Sequence, residues 1–189
     1  GQSWNQVNTN NSGPNTMNDV AFFSNSGGVA VGINGSLVTY NGTAWVNHTS
    51  SIGSSASFNG ATMLNNTTAL VVGSNGTIGQ YNISTSTWTP ITTGITTNIN
   101  AVAFLDADTG YAVGDNGLII KTVDAGASWN SVFNGGISSN FVGITIDSSI
   151  ASVIVVGDDG VVYRSLAGGQ FERYSICLLY TSPSPRDAT

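Results

Sequence analysis

Nine of the ten acidic residues stand ahead of residue 177: Asp19, Asp106, Asp108, Asp115, Asp124, Asp147, Asp158, Asp159 and Glu172. Two of them facing one another could hydrolyse a glycosidic bond, one as acid and one as base or nucleophile. Nearly all, however, sit among Gly, Asn, Ser and Thr, where Asp serves to hydrogen-bond the backbone of a turn. Holding a substrate carboxylate takes an arginine cluster, and only Arg164 and Arg173 are available there. His48 is the sole histidine and reads as a solvent-facing residue at the end of a strand; Cys177 is the sole cysteine, so no pair exists to share a metal. Asp106/Asp108 and Asp158/Asp159 could touch calcium, yet read as turns. No Gly-rich phosphate loop stands between a strand and a helix. The expectation is no catalytic residue, no metal site and no cofactor.

The elements that carry these residues repeat. Val31–Leu37 (VGINGSL), Val72–Ile78 (VGSNGTI), Val113–Ile119 (VGDNGLI) and Val156–Val162 (VGDDGVV) place Gly32, Gly73, Gly114 and Gly157 at steps of 41, 41 and 43. Trp4, Trp45, Trp88, Trp129 and Phe171 keep the same beat. Two markers in phase define a unit of about forty-one residues that buries its apolar faces only against its neighbours.

Within one unit, short apolar runs alternate with turns every eight to ten positions. From Asn98 to Phe133 these are Val102–Phe104, Tyr111–Val113, Leu118–Lys121 and a run opened by Trp129. Four short strands per unit predict a β-propeller blade. The pairs Asn34-Gly35, Asn75-Gly76, Asn116-Gly117 and Asp159-Gly160 fit a type I′ turn between the second and third strands, where both residues need positive φ. The fold class is therefore all-β: a propeller of four-stranded antiparallel blades at 17–50, 58–92, 98–133 and 140–175. Residues 1–10, with Trp4–Val7, read as the outer strand of a preceding blade. Four blades are an arc of a six- to eight-bladed ring, and such an arc, with apolar faces uncovered, is expected to be poorly soluble.

Thr122–Trp129 (TVDAGASW) resembles the Asp-box of bacterial neuraminidase repeats. The resemblance implies that Thr122, Asp124, Gly126, Ser128 and Trp129 are structural. Asp124 would accept backbone N–H groups across the third-to-fourth-strand turn, Gly126 would supply a permissive backbone, and Trp129 would pack between blades. In that family the box lies away from ligand sites. Residues 98–174 more widely resemble the photosystem II assembly and stability factor repeats, and the earlier units resemble them more loosely. That family's arginine-rich client patch has no counterpart here, so the resemblance carries the fold rather than a photosynthetic role. Sialidases and xyloglucan-degrading propellers share the box, which keeps a glycan hydrolase as the enzymatic alternative.

Charged residues make up only 7% of the chain and the net charge is −6, which argues against nucleic acid as a partner. No apolar run is long enough to insert in a membrane. Asn, Ser, Thr and Gly form the polar surface, and Asn41-Gly42-Thr43, Asn66-Thr67-Thr68 and Asn82-Ile83-Ser84 are glycan-acceptor triplets. The expected location is extracellular or at the cell surface. The expected function is binding or scaffolding of a protein or glycan through entrance-rim loops, with an assembly factor for a membrane complex as a further alternative. Cys177–Asp187 (CLLYTSPSPRD) resembles translated sequencing adapter, so residues 177–189 are set apart from the fold.

Overall fold

The computed structural model describes residues 16–25, 27–133, 136–166 and 169–174. Both the strand expected within residues 1–10 and the adapter-like run 177–189 lie outside the described residues.

Among the described residues, sixteen strands form four sheets, each antiparallel and in sequential order. The first blade is β1 (Met17–Ser24), β2 (Gly27–Gly32), β3 (Leu37–Tyr40) and β4 (Trp45–Asn47). The second is β5 (Phe58–Asn65), β6 (Thr68–Gly73), β7 (Ile78–Asn82) and β8 (Thr87–Ile91). The third is β9 (Ile99–Phe104), β10 (Gly110–Gly114), β11 (Ile119–Thr122) and β12 (Asn130–Phe133). The fourth is β13 (Phe141–Asp147), β14 (Ser152–Gly157), β15 (Val162–Ser165) and β16 (Glu172–Tyr174). The chain is a β-propeller. Trp129 stands just before β12 rather than opening it.

The strand period of two assigns each side chain to a face. In the first blade Val29, Val31 and Leu37 point forward, toward the second blade, where they meet Phe58, Ala61, Met63 and Tyr81. Leu70, Val72 and Ile78 meet Ile99, Ala112, Ile120 and Trp129 in the same way. Tyr111, Val113 and Ile119 meet Phe141, Val153, Val155 and Tyr163. The three apolar clusters thus lie between blades, not within them. Each fully buried aliphatic or aromatic side chain contributes roughly 1.5–3 kcal/mol, so the junctions hold the molecule together.

The innermost strands β1, β5, β9 and β13 pack side by side in series. Among the described residues, no packing of that extent joins β13 to β1. The four described blades therefore follow one another as an arc.

One link between blades is partly regular. Thr49–Ile52 forms a single helical turn, α1. Asn47 Oδ1 accepts the Thr49 N–H at 2.9 Å, Thr49 Oγ1 accepts the Leu37 N–H at 3.2 Å, and Gly53 ends the turn in the left-handed region. Ile52, buried in the first junction, anchors it.

Candidate functional site

The arc has two rims, and the sequence-predicted residues divide between them. On the entrance rim lie the second-to-third-strand turns and the links into each next blade. Asn34, Asn75, Asn116 and Asp159 all have φ between 54° and 56°, followed by Gly35, Gly76, Gly117 and Gly160 at φ 68–70°. The Ser36 N–H bonds the Ile33 carbonyl at 3.1 Å, and the three later turns repeat that bond. One residue more than a plain two-residue hairpin is present. Gly32 rather than Ile33 donates to the Ser36 carbonyl, and Ile33 donates instead to Thr16 O, at 3.0 Å. Ser74, Asp115 and Asp158 donate likewise to the carbonyls of Ser57, Asn98 and Asn140. Each turn is thereby tied to the start of its own blade.

The first three turns are also tied to the next blade. Gly35 N–H donates to Ala56 O at 2.7 Å and Gly117 N–H to Ser139 O at 2.9 Å. The Asn75 and Asn116 N–H groups donate to the side-chain oxygens of Asn98 and Asn140, at 3.0 and 3.1 Å. The glycines lie beneath the incoming link: a Cβ on Gly35 would run into Ser54 O, and one on Gly76 into Ile95 O. Nothing lies within 4 Å of such an atom on Gly160. The result is a row of exposed Asn34, Asn75 and Asn116 side chains, with Asp159 in the fourth position, above buried backbone in the first three.

A second series escaped the sequence reading. Asn18, Asn59 and Asn100 each donate through Nδ2 to the first core carbonyl of the next blade: Phe58 O at 2.8 Å, Ile99 O at 3.0 Å and Phe141 O at 2.9 Å. Asn100 Nδ2 also reaches Asp115 Oδ1 at 2.7 Å, while Asn98 Nδ2 donates to Asp115 Oδ2 at 2.9 Å. Their steps of 41 residues were a visible signal, hidden by the abundance of Asn. In the fourth blade the position holds Val142.

The opposite, outer rim carries the aspartate turns. Asp124 Oδ1 accepts the Ser128 N–H at 2.8 Å and the Thr122 hydroxyl at 2.7 Å; Oδ2 accepts the Ser128 hydroxyl at 2.6 Å. These donors, the Ser128 hydroxyl foremost, hold its carboxyl down to about 2. Gly126, at φ 85°, lies against Leu70 of the second blade, and Trp129 Nε1 donates to Gly126 O at 3.0 Å. Trp129 is buried in the second junction, edge-on to Phe104 at 6.3 Å. Gln80 Nε2 reaches across from the second blade to Ala125 O at 2.9 Å. Asp106 and Asp147 are lowered as well, chiefly by the Thr109 N–H and the Ser149 hydroxyl respectively. In the first two blades Asn41 and Asn82 head the equivalent turns; Asn41 Oδ1 accepts from Thr43 N, Thr43 Oγ1 and Ala44 N at 2.9–3.1 Å.

His48 corrects the solvent-facing expectation. It is half-buried, with Nε2 2.9 Å from Thr39 Oγ1 and its ring 5.1 Å from that of Tyr81 in the second blade. Burial lowers its pKa. A residue closing one strand faced the next blade, which strand period alone did not show.

Residues 80–178, just over half of the chain, match the family model described as Photosynthesis system II assembly factor YCF48. No curated protein matches in sequence. Among solved structures the fold is similar to one described as YCF48 bound to D1 peptide, with TM-score 0.68 and 19% identity, covering 85% of this chain and 53% of that one. It is also similar to YCF48 from Cyanidioschyzon merolae, with TM-score 0.64 and 16% identity, covering 87% and 58%. The GH74 enzyme of Niastella koreensis gives TM-score 0.65 and 16% identity, covering 83% of this chain and 30% of that one. At such identities the likeness concerns the fold alone. This chain spans between half and three-fifths of the two YCF48 chains.

Proposed function

Because this chain belongs to the Photosynthesis system II assembly factor YCF48 family, we propose that it is a non-enzymatic binding propeller whose entrance rim receives an extended segment of a partner protein. The observation that carries this reading is the row of exposed Asn34, Asn75 and Asn116 carboxamides, fixed in the left-handed region by turns that are hydrogen-bonded to the next blade. A carboxamide offers both donor and acceptor, as a peptide backbone requires. Presented on a locked framework, it loses little entropy on binding. A family relative described with a bound peptide supports the partner class. The sparsely charged surface suits polar recognition better than charge recognition.

Hydrolysis finds less support. Asp106, Asp124 and Asp147 already accept the N–H and hydroxyl groups of their own turns, which spends their lone pairs on structure. The sparse charge and the abundance of Asn, Ser, Thr and Gly support an extracellular or cell-surface location; fractionation of cells expressing a tagged chain tests that part.

The main test replaces Asn34, Asn75 and Asn116 together by Gly, which keeps the positive φ and removes the carboxamides. Binding to an array of extended peptides and to a glycan array is compared with the parent chain. The expected result is peptide binding that falls at least about tenfold in the triple variant. Peptide binding unchanged by the substitutions would overturn the reading, and binding confined to glycans would move the partner class to carbohydrate.

A further inference from the structure

Three of the entrance-rim turns share one reactive pair. Asn34-Gly35, Asn75-Gly76 and Asn116-Gly117 each set an exposed carboxamide beside a buried glycine, with Asn ψ at 39°, 37° and 37°. A glycine carries no Cβ to hinder the approach of its nitrogen to the carboxamide carbon before it. All three turns are closed alike, by Ser36 N–H on Ile33 O, Thr77 N–H on Ser74 O and Leu118 N–H on Asp115 O, at 3.1–3.2 Å. The glycine amide is what differs. Gly35 N–H donates to Ala56 O at 2.7 Å and Gly117 N–H to Ser139 O at 2.9 Å, whereas Gly76 N–H meets no acceptor among the described residues. A buried amide left so weakens the turn that holds it.

We propose that Asn75-Gly76 is a self-modifying site, at which the Gly76 nitrogen attacks the Asn75 side-chain carbon and turns the carboxamide into a carboxylate. In the first step the new N–C bond closes a five-membered imide. The Gly76 N–H proton passes to the departing Asn75 side-chain nitrogen, which leaves as ammonia. In the second step water adds to one imide carbonyl and breaks its bond to the Gly76 nitrogen, which regains a proton. Opening at the side-chain carbonyl leaves aspartate. Opening at the main-chain carbonyl leaves isoaspartate, with the side-chain methylene in the backbone. Closing the ring turns the Asn75 Cα–C bond away from its left-handed ψ, which swings the Gly76 N–H but not the Asn75 N–H. The bond from Asn75 N–H to Asn98 Oδ1, at 3.0 Å, can therefore stay in place. At Gly35 and Gly117 the same rotation breaks a bond to the next blade, and at Gly76 there is none to break.

The turn accepts the aspartate product. Asp159 stands at the same position of the fourth blade with φ 56°, followed by Gly160 at φ 68°. Isoaspartate puts one more atom into a backbone that runs directly beneath the Ile95 carbonyl, so that product distorts the turn. Either product places a negative charge in the middle of the carboxamide row. A carboxylate only accepts hydrogen bonds, so it cannot donate to a peptide carbonyl as the carboxamide does. Conversion therefore weakens partner binding, a consequence that rests on the peptide-binding reading of the rim; the reaction itself does not.

The test incubates the full chain at mildly alkaline pH and follows Asn34, Asn75 and Asn116 by peptide mass mapping that separates aspartate from isoaspartate. Asn75 should convert about fivefold faster than either of the others, the factor that one hydrogen bond lost on opening the turn makes. The rate should rise with pH, because the attacking nitrogen must shed its proton. In urea, where no turn holds, the three residues should convert at similar rates, since each precedes a glycine. Equal rates in the folded chain, or Asn34 or Asn116 converting first, would overturn the proposal. A lead of Asn75 that persisted in urea would do so too, because it would come from neighbouring sequence and not from the fold. Asn75→Asp, checked by circular dichroism, is then compared with the parent on the peptide array, where weaker binding is expected. Binding equal to the parent's would overturn the consequence for the partner and leave the modification standing.

Discussion

The two rims of the arc solve the same problem, reversing a strand, with different materials. On the outer rim the turn is shaped by side chains of the turn itself: Asp124 in the third blade, Asn41 and Asn82 in the first two. On the entrance rim it is shaped by backbone bonds to the next blade, with glycine beneath the incoming link. A turn that satisfies itself can change sequence freely, so the outer rim uses Asp in one blade and Asn in two. A turn that must also satisfy its neighbour cannot, so the Asn-Gly pair recurs in three blades and survives as Asp-Gly in the fourth. Strict repetition of the Asn-Gly pair marks coupling between blades.

The sharpest way to break that comparison is to place a Cβ on an entrance-rim glycine. Gly76→Ala combines a strained φ of 68° with a collision on the Ile95 carbonyl, and Gly160→Ala has the strain alone. A non-glycine residue in the left-handed region costs about 1–2 kcal/mol. Gly160→Ala should lose about that much in urea denaturation, and Gly76→Ala about 3 kcal/mol or more, because the link must move. Equal losses would mean that the coupling across the second junction has been overstated.

Next in size is Asn100→Ala. It removes the donor that serves both Asp115 Oδ1 and Phe141 O and leaves the latter carbonyl without it at the third junction. Losing a hydrogen bond at a half-buried site costs about 1–3 kcal/mol. Asn18→Ala, which gives up the bond to Phe58 O, should cost less. If both cost the same, the Asp115 contact adds nothing to the clasp.

How much of this was legible follows the same division. The blade count, the strand order and the positions of the turns could be read because glycine and tryptophan recur at fixed steps. The asparagine series at 18, 59 and 100 could not be picked out, because Asn is frequent enough to fall in phase by chance. His48 was misjudged because facing depends on how the next blade packs, which no local pattern carries. The helical turn at Thr49–Ile52 was missed because one turn is too short to show a period of 3.6 residues.

Acid sharpens the comparison on the outer rim. Asp124 is held at about 2 against an ordinary value of 3.8, so its folded form favours the ionised carboxylate. The stability this confers is present above pH 3.8 and is lost as the pH falls toward 2. Asp124→Asn should flatten the fall in stability over that window, without abolishing it, because Asp106 and Asp147 are lowered too. At neutral pH the variant should remain folded, since Asn41 holds the same kind of turn as a carboxamide. An unchanged acid profile would show that the carboxylate's hydrogen bonds contribute nothing to the fold.

The smallest expected effect has the opposite sign. Ser36 closes the first entrance-rim turn at 0% exposure, and its hydroxyl has no partner among the described residues. The same position is Leu118 in the third blade and Val161 in the fourth, so the site tolerates an aliphatic side chain. A buried hydroxyl without a partner costs about 1–3 kcal/mol, part of which returns when it is replaced by an apolar group. Ser36→Val should therefore raise stability by about 1 kcal/mol, less any strain from its larger volume. The backbone bond from Ser36 N–H to Ile33 O does not depend on the side chain, so the turn survives the change. A loss of stability would show that the first turn, unlike its counterparts, is built around that hydroxyl.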